Sequence, residues 1–303
     1  MYDYGNARVA AARSRLLGPD ELLRLRDARS QGAMLSLLER FEDWRSILAE
    51  VASLAAPPGQ AIEAAIERFR SVRLGALLDW YEPPARGLVE ALVMPLDIER
   101  LLAVIRRQRA GEPADRIGEA VAPGALLDAE AIRRLARARS FGETLDRAAA
   151  AGLLAGDDAR ALSRLATSGA PLELIELRII EATERARLGR ARGRGEAARA
   201  VRTVVEAERA VRMTSAAETR VAGAVVAAPA ERDATLSRLD ELSRRGRRDP
   251  LGIGTIVGYI AAVEAAAIRL RAVLAGFAAG WSLDLVGEYL QVGPGRRPAR
   301  GAF

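Results

Sequence analysis

The sequence has 303 residues, with 46 basic and 40 acidic side chains and a net charge of +6. Every basic residue is arginine, and lysine, histidine and cysteine are absent, which excludes histidine-based triads, thiolate and HExxH metal sites, Walker A loops and Schiff bases. The composition therefore favours a binding or mechanical protein over an enzyme, and we expect no catalytic residue, no cofactor and no metal site.

Apolar residues make up 50% of the chain, but aromatic residues only 4%. The core must therefore consist largely of Leu, Ala, Val and Ile, with Trp44, Trp80 and Trp281 as isolated anchors of the core or of an interface. Leu and Ala favour helices, and no segment alternates apolar and polar residues over the length of a strand. We predict an all-α fold.

The chain lacks the usual signals for crossing or entering a membrane. Its longest charge-free stretch, residues 250–263, is shorter than the ~20 residues of a membrane-spanning helix. Residues 1–5 lack the basic and apolar regions of a secretion signal. We therefore expect a cytoplasmic protein without a membrane span.

Proline and glycine divide the chain into a series of predicted helices, because these residues stop one helix or start the next. In chain order the breaks are Gly18-Pro19, Pro57-Pro58-Gly59, Pro83-Pro84, Pro123-Gly124, Gly169-Ala170-Pro171 and Asp249-Pro250. At the last break we predict a helix with Asp249 as its N-cap and Pro250 in its first turn.

Between the breaks, apolar residues recur at the spacing of a helix. The two clearest stripes are Ile98, Leu101, Leu102 and Ile105, and Leu270, Val273, Leu274 and Phe277. Each stripe predicts one apolar face that packs against a neighbouring helix. Arg100 and Arg269 fall off the stripes, and we expect them to point away from the core.

The chain also resembles itself at two offsets. At an offset of 169 residues, Arg100-Leu101, Ala103-Val104, Ala110-Gly111, Asp115, Gly118-Glu119 and Gly124 match Arg269-Leu270, Ala272-Val273, Ala279-Gly280, Asp284, Gly287-Glu288 and Gly293. At an offset of 110 residues, Arg24-Leu25, Ala28-Arg29-Ser30, Gly32 and Leu35 match Arg134-Leu135, Ala138-Arg139-Ser140, Gly142 and Leu145. Ala, Arg and Leu often match by chance in such a chain, whereas the glycines and the Asp-x-x-Gly-Glu pattern do not. We interpret the matches as duplication, with at least three related segments.

Three segments carry a likeness to a known family. They are Tyr4-Gly5-Asn6-Ala7-Arg8-Val9 with the following Arg13–Leu17, then Asp97–Gly111, and finally Asp249–Ile260 with Glu264, Arg269-Leu270 and Gly280–Leu290. In this order they resemble the C-type connector of the V-type and A-type rotary ATPases, the protein known as the d component in eukaryotic vacuolar enzymes. The segment 187–234 and the end of the chain after Leu290 depart from the family pattern.

The resemblance implies a non-catalytic subunit of three similar helical domains, arranged as a funnel around a pseudo-threefold axis. In that family the funnel sits on the membrane rotor ring, receives the foot of the central stalk and transmits torque for proton or sodium transport. We expect domains at 1–95, 96–190 and 191–293 and a flexible basic tail at 294–303. The implied partners are central-stalk and rotor-ring (proteolipid) subunits, on the cytoplasmic side of the membrane.

Two arginine clusters are candidate partner contacts. They are Arg190, Arg192 and Arg194 in a Gly-broken segment, and Arg244, Arg245, Arg247 and Arg248 further on. One interpretation is that they face acidic residues of the stalk or ring; the other is a solvated helix end, where cations are favourable.

The high pI also allows a different class of function. A pI of about 10.5 also fits an Arg-rich helical protein that binds nucleic acid. Complete replacement of Lys by Arg equally indicates a genome-wide compositional bias, so we expect no nucleic-acid partner.

Two further patterns resemble chemical motifs. Gly252–Gly258 lacks the preceding strand and the spacing of a dinucleotide fingerprint, and we interpret its small residues as a helix packing surface. Asp115 with Glu119, and Asp284 with Glu288, each share a helix face. Paired carboxylates for acid–base catalysis are the alternative to acids that favour a helix N-terminus.

Overall fold

The computed structural model describes residues 2–28, 30–52, 57–222 and 229–290, with side chains described except at 210–222, 229–233 and 288–289. Within these ranges the chain forms helices and their connections and no strand, which confirms the all-α prediction. The predicted tail at 294–303 lies outside the described residues.

Fifteen helices follow one another in the described ranges. They are α1 (Asp3–Arg13), α2 (Pro19–Arg26), α3 (Gln31–Leu38), α4 (Glu42–Ala52), α5 (Pro58–Trp80), α6 (Ala85–Arg109), α7 (Ala114–Ala120), α8 (Ala129–Ala136), α9 (Phe141–Ala150), α10 (Gly156–Thr167), α11 (Leu172–Arg190), α12 (Glu196–Ala222), α13 (Pro229–Gly246), α14 (Ile253–Ala279) and α15 (Leu283–Leu290). The predicted breaks separate these helices, since proline and glycine act locally on the backbone.

The chain divides into two compact units. Unit 1 comprises residues 1–4 and 74–226, and unit 2 comprises residues 5–73 and 227–303, so the division falls within α5. The predicted division into three domains stays a prediction.

Unit 1 is built on the long helices α6 and α11, which pack against each other. The short helices α7 to α10 pack on this pair and on one another, and α12 packs on α6 and α11. The predicted stripe of Ile98, Leu101, Leu102 and Ile105 is buried in this core, which confirms the helical periodicity. Arg100 does not point away as expected: its side chain is buried, and its Nε donates to the carbonyl oxygen of Pro123 at 3.3 Å.

Unit 2 brings an early and a late segment of the chain together. The long helix α13 packs along α14, which also contacts α15 and α2, and α2 packs on α15 and α3. Trp44 on α4 is buried and stacks on Phe69 of α5 at 4.7 Å between ring centroids, as expected of a core anchor. In the second predicted stripe, Leu270 and Val273 are buried.

The internal similarity is visible in the helices. At the offset of 169, α7 and α15 begin at matching residues, and Gly111 and Gly280 before them have φ of +73° and +66°. At the offset of 110, α2 and α8 span matching residues, and Ser30 and Ser140 both cap the next helix by accepting a backbone N–H through their side chains. The first and the last of the three related segments belong to unit 2, and the middle one belongs to unit 1.

The start of α14 corrects one prediction. The helix begins at Ile253 with Gly252 as its N-cap, three residues later than expected. Asp249 still contacts the first turn of the helix, because its carboxylate accepts the N–H of Gly254 at 3.0 Å. A Cβ at Gly252 would lie 2.2 Å from that carboxylate, so the glycine leaves the room that this arrangement needs.

Helix α14 is also long and apolar enough to cross a membrane by length and composition, which the sequence analysis did not expect. However, 61% of its apolar window is buried inside the protein. Its Glu264 and Arg269 pair with Arg70 and Asp240 on neighbouring helices of unit 2. The helix therefore has the surroundings of a core helix.

Candidate partner-binding site

The first arginine cluster lies at the end of α11 in unit 1. Arg190 contacts its own unit: its Nε lies 3.3 Å from a carboxylate oxygen of Glu90, and its Nη2 donates to the carbonyl oxygen of Gly152 at 2.7 Å. Arg192 and Arg194 are exposed in the turn that follows. Of the three predicted contacts, two are thus presented to solvent, and one holds α11 against α6.

The second cluster lies at the C-terminal end of α13 in unit 2. Arg244, Arg245, Arg247 and Arg248 are all exposed. Arg244 and Arg245 pair with Glu241 one turn earlier, and the pKa of Glu241 is lowered mainly by the hydrogen bond from Arg245. The four side chains lie within one turn and a loop, as the sequence order predicts.

A fifth arginine joins this end of α13. Arg13 on α1 donates through Nη2 to the carbonyl and hydroxyl oxygens of Ser243. Burial lowers the pKa of Arg13, and the positive charge of Arg247 lowers it further. Sequence reasoning missed Arg13 because 230 residues separate it from Ser243. We call Arg13, Arg244, Arg245, Arg247 and Arg248 the α13-end cluster.

The backbone beneath this cluster is fixed by close packing. A Cβ at Gly258 on α14 would lie 2.9 Å from the Cα of Gly246 at the end of α13, so the two helices approach at their glycines. The amide of Asn6 donates to the carbonyl oxygens of Pro250 and Gly252 at 3.0 and 3.1 Å. The glycine run is therefore a helix packing surface, as predicted.

The paired carboxylates have the environment of surface acids where they are described. Asp115 lies 3.4 Å from Arg137, and its side chain is 83% exposed. The side chain of Glu288 lies outside the described set. Within the described ranges, no group of three or more acidic residues is placed to hold a metal ion.

Arg187 on α11 is a buried cation that no sequence motif marks. Its Nη1 lies 2.9 Å from Glu184 and its Nη2 lies 2.7 Å from Glu208, while its Nε donates to the carbonyl oxygen of Ala91 at 2.8 Å. Ala91 precedes Pro95 by four residues, and proline has no N–H to donate to that carbonyl. Arg187 supplies the donor that the helix lacks.

Asp97 on α6 is a buried carboxylate that was also missed. Its Oδ1 accepts the backbone N–H groups of Leu126 and Leu127 at 2.9 and 2.8 Å, and its Oδ2 is buried without a partner among the described residues. Burial raises the pKa of Asp97 to about 6, against the opposing effects of these N–H groups and of Arg100. A Cβ at Gly124 would lie 1.9 Å from Oδ1, which explains the glycine in this loop.

Fold and site together define an all-helical protein whose long helices are joined by ion pairs and whose exposed arginines are available to a partner. The chain belongs to the C/AC39 subunit family of V/A-type ATP synthases: the model of the family described as ATP synthase (C/AC39) subunit matches residues 5–182, more than half of the chain. The match runs from α1 into α11, and both arginine clusters lie after it. A search of curated proteins found no match.

Proposed function

We propose that this chain is the central-rotor connector of a V/A-type rotary ATPase. It is a non-catalytic socket that joins the central stalk to the membrane rotor ring and transmits torque for coupled proton or sodium transport. The observation that carries the proposal is the family match over residues 5–182. The protein is peripheral, on the cytoplasmic side of the membrane.

We propose that the chain forms three similar helical domains in a funnel around a pseudo-threefold axis, as membership of the family implies. Six helices have 18 to 27 residues, whereas the other described helices have 7 to 12. The long helices contact one another within each unit: in unit 2, α14 is joined to α5 by ion pairs and packs along α13, and in unit 1, α6, α11 and α12 pack together. We propose domains at 1–95, 96–190 and 191–293.

Ion pairs between the long helices of unit 2 support a role in carrying load. Arg70 on α5 lies 3.0 Å from Glu264 on α14. A second arginine, Arg271, lies on α14 and pairs with two acids on α5, Glu63 at 2.7 Å and Glu67. Sliding of one helix along the other breaks these pairs, so a force on one helix moves both.

Unit 1 joins its long helices in the same way. Arg106 on α6 lies 2.7 Å from Glu176 on α11, and Arg190 on α11 pairs with Glu90 on α6. The two pairs lie near opposite ends of the helices, so they resist both sliding and splaying. None of this requires a titratable catalytic group.

We propose the exposed arginines as contacts with the central stalk or the rotor ring. In unit 1 these are Arg192 and Arg194, with Arg190 positioning the turn that carries them. In unit 2 they are Arg244, Arg245, Arg247 and Arg248. Arginine suits such contacts because its planar guanidinium binds carboxylates in a bidentate manner.

The test is to assemble the rotary complex in membrane vesicles with and without this chain. Without it we expect ATP hydrolysis to continue while ion pumping stops, and we expect the purified chain to restore pumping when it is added back. Normal pumping in a complex shown to lack the chain refutes the proposal.

A further inference from the structure

The α13-end cluster holds more positive charge than its own unit neutralises. Glu241 pairs with Arg244 and Arg245, and the carboxylate of Asp249 is engaged by the N–H of Gly254. Within the described ranges, Arg247 and Arg248 form no ion pair, although the charge of Arg248 helps to lower the pKa of Glu241, so the five arginines of the cluster outnumber its two carboxylates.

Arg13 shows the consequence of this excess. Its Nε is buried with no hydrogen-bond partner among the described residues, and the nearby charge of Arg247 makes its protonated form less favourable. A buried donor without an acceptor is costly, and so are neighbouring cations without a counter-charge. The second cost falls when an anion binds beside Arg247.

An exposed apolar side chain lies in the same loop. Leu251 is 68% exposed, three residues after Arg248. The amide of Asn6 holds the backbone on either side of it through Pro250 and Gly252. The loop therefore presents a fixed apolar contact beside the arginines.

We propose that the α13-end cluster and Leu251 bind a protein segment in which acidic side chains flank an apolar one. Its carboxylates pair with Arg247 and Arg248, and its apolar side chain packs on Leu251. The inference deepens the proposed function by naming the surface and the chemistry of the partner, and it rests on that function only for the identity of the partner.

The surface favours an acidic protein over a phosphate polymer or a lipid headgroup layer. Glu241 and Asp249 lie among the arginines, so a protein segment that places its acids only opposite the arginines fits this surface better than an evenly charged layer of phosphates. The loop from Arg247 to Gly252 contains no aromatic side chain on which a base stacks.

The experiment measures binding of a fluorescein-labelled peptide of repeated Glu-Glu-Leu units to the full-length chain. We expect the double variant Arg247→Gln with Arg248→Gln to weaken binding by about tenfold or more, because both carboxylate contacts are lost. The matched control, Arg160→Gln with Arg164→Gln on α10, removes the same charge from exposed positions in unit 1 and leaves binding unchanged. A double variant that binds as tightly as the wild type overturns the proposal.

Further measurements separate the alternatives. Leu251→Ser, at an exposed position, weakens peptide binding, and a peptide of Gln-Gln-Leu units does not bind. The peptide raises the Tm of the wild type but not that of the double variant Arg247→Gln, Arg248→Gln. Without peptide, the double variant is at least as stable as the wild type, because Arg247 no longer repels Arg13. Vesicles of phosphatidylserine and phosphatidylcholine, or duplex DNA, that bind more tightly than the peptide and depend on the same arginines overturn the proposal.

The peptide assay does not involve the rotary complex, so the two proposals fail separately. Peptide binding by a chain that does not restore ion pumping refutes the proposed function alone. Restored pumping by a chain that does not bind the peptide refutes this inference alone.

Discussion

At the scale of single residues, the least expected feature is a pair of buried charges in unit 1. Arg187 completes the hydrogen bonding of α6 at Pro95, and Asp97 two residues later binds the loop between α7 and α8 through Leu126 and Leu127. Each charge satisfies backbone groups that the helices and turns leave open. The sequence shows both residues but not their targets.

Replacing Arg187 with Met should destabilise the protein by about 3–5 kcal/mol, since it leaves the fully buried Glu184 without its cation. Denaturant unfolding of the variant measures this loss. The control Arg185→Met, at a side chain that is 56% exposed, should change stability by less than about 1 kcal/mol. The double variant Glu184→Met with Arg187→Met should recover part of the loss, and a double variant that is less stable than Arg187→Met contradicts the assignment.

The raised pKa of Asp97 predicts a pH dependence with a definite sign. The folded pKa of about 6 lies above the ordinary value of 3.8, so below pH 6 the folded state binds a proton that the unfolded state binds only near pH 4. The contribution of Asp97 to stability therefore rises as the pH falls through 6 towards 4, by at most about 3 kcal/mol.

The variant Asp97→Asn removes this titration and keeps an oxygen for the N–H groups of Leu126 and Leu127. Urea unfolding at pH 7.5 and pH 4.5 should show the wild type gaining stability relative to the variant at the lower pH. If the two proteins change in parallel, Asp97 titrates near its ordinary pKa.

At the scale of helices, the close approach of α13 and α14 determines where the α13-end cluster lies. The contact depends on glycine: a Cβ at Gly258 would meet the Cα of Gly246 at 2.9 Å and the carbonyl oxygen of Leu242 at 3.2 Å. Backbone atoms cannot move aside as a flexible side chain does. The helices must therefore separate when either glycine acquires a side chain.

The variant Gly258→Ala should lower the free energy of unfolding by about 1–3 kcal/mol, the usual cost of overpacking. Its matched control is Gly189→Ala on α11, where a Cβ would meet nothing within 4 Å; this change should be neutral or stabilising by up to about 1 kcal/mol. Thermal unfolding compares the two. Equal effects of the two variants would show that α13 and α14 do not meet at Gly258.

At the scale of the whole molecule, the proposed role requires that force applied to one helix reaches its partner. In unit 2, Arg271 on α14 is paired with two acids on α5, Glu63 and Glu67, one turn apart. Because the two acids lie one turn apart along α5, sliding α14 in either direction along α5 stretches one of the two pairs. Their contribution to equilibrium stability is small, because the guanidinium is about one third exposed and solvent screens the pairs.

Arg271→Gln should therefore affect coupling more than folding. In assembled complexes we expect fewer ions pumped per ATP hydrolysed, with hydrolysis retained. The control Arg68→Gln removes a pair between α5 and Glu50 of α4 and should leave the ratio unchanged. A wild-type ratio in the Arg271 variant argues against a mechanical role for these pairs.

The sequence by itself determined the all-helical class, six of the breaks between helices and the register of the matching segments. These follow from local rules: apolar side chains spaced by 3.6 residues, and proline or glycine that ends a helix within a turn. The apolar stripe around Leu101 and the matching glycines Gly111 and Gly280 could be predicted for that reason.

Only the tertiary structure decided which segments meet. It placed Arg13 beside Ser243, it joined the first and last segments in unit 2, and it turned Arg187 towards Ala91. Contacts across 96 or 230 residues arise from the packing of whole helices, so no local pattern encodes them.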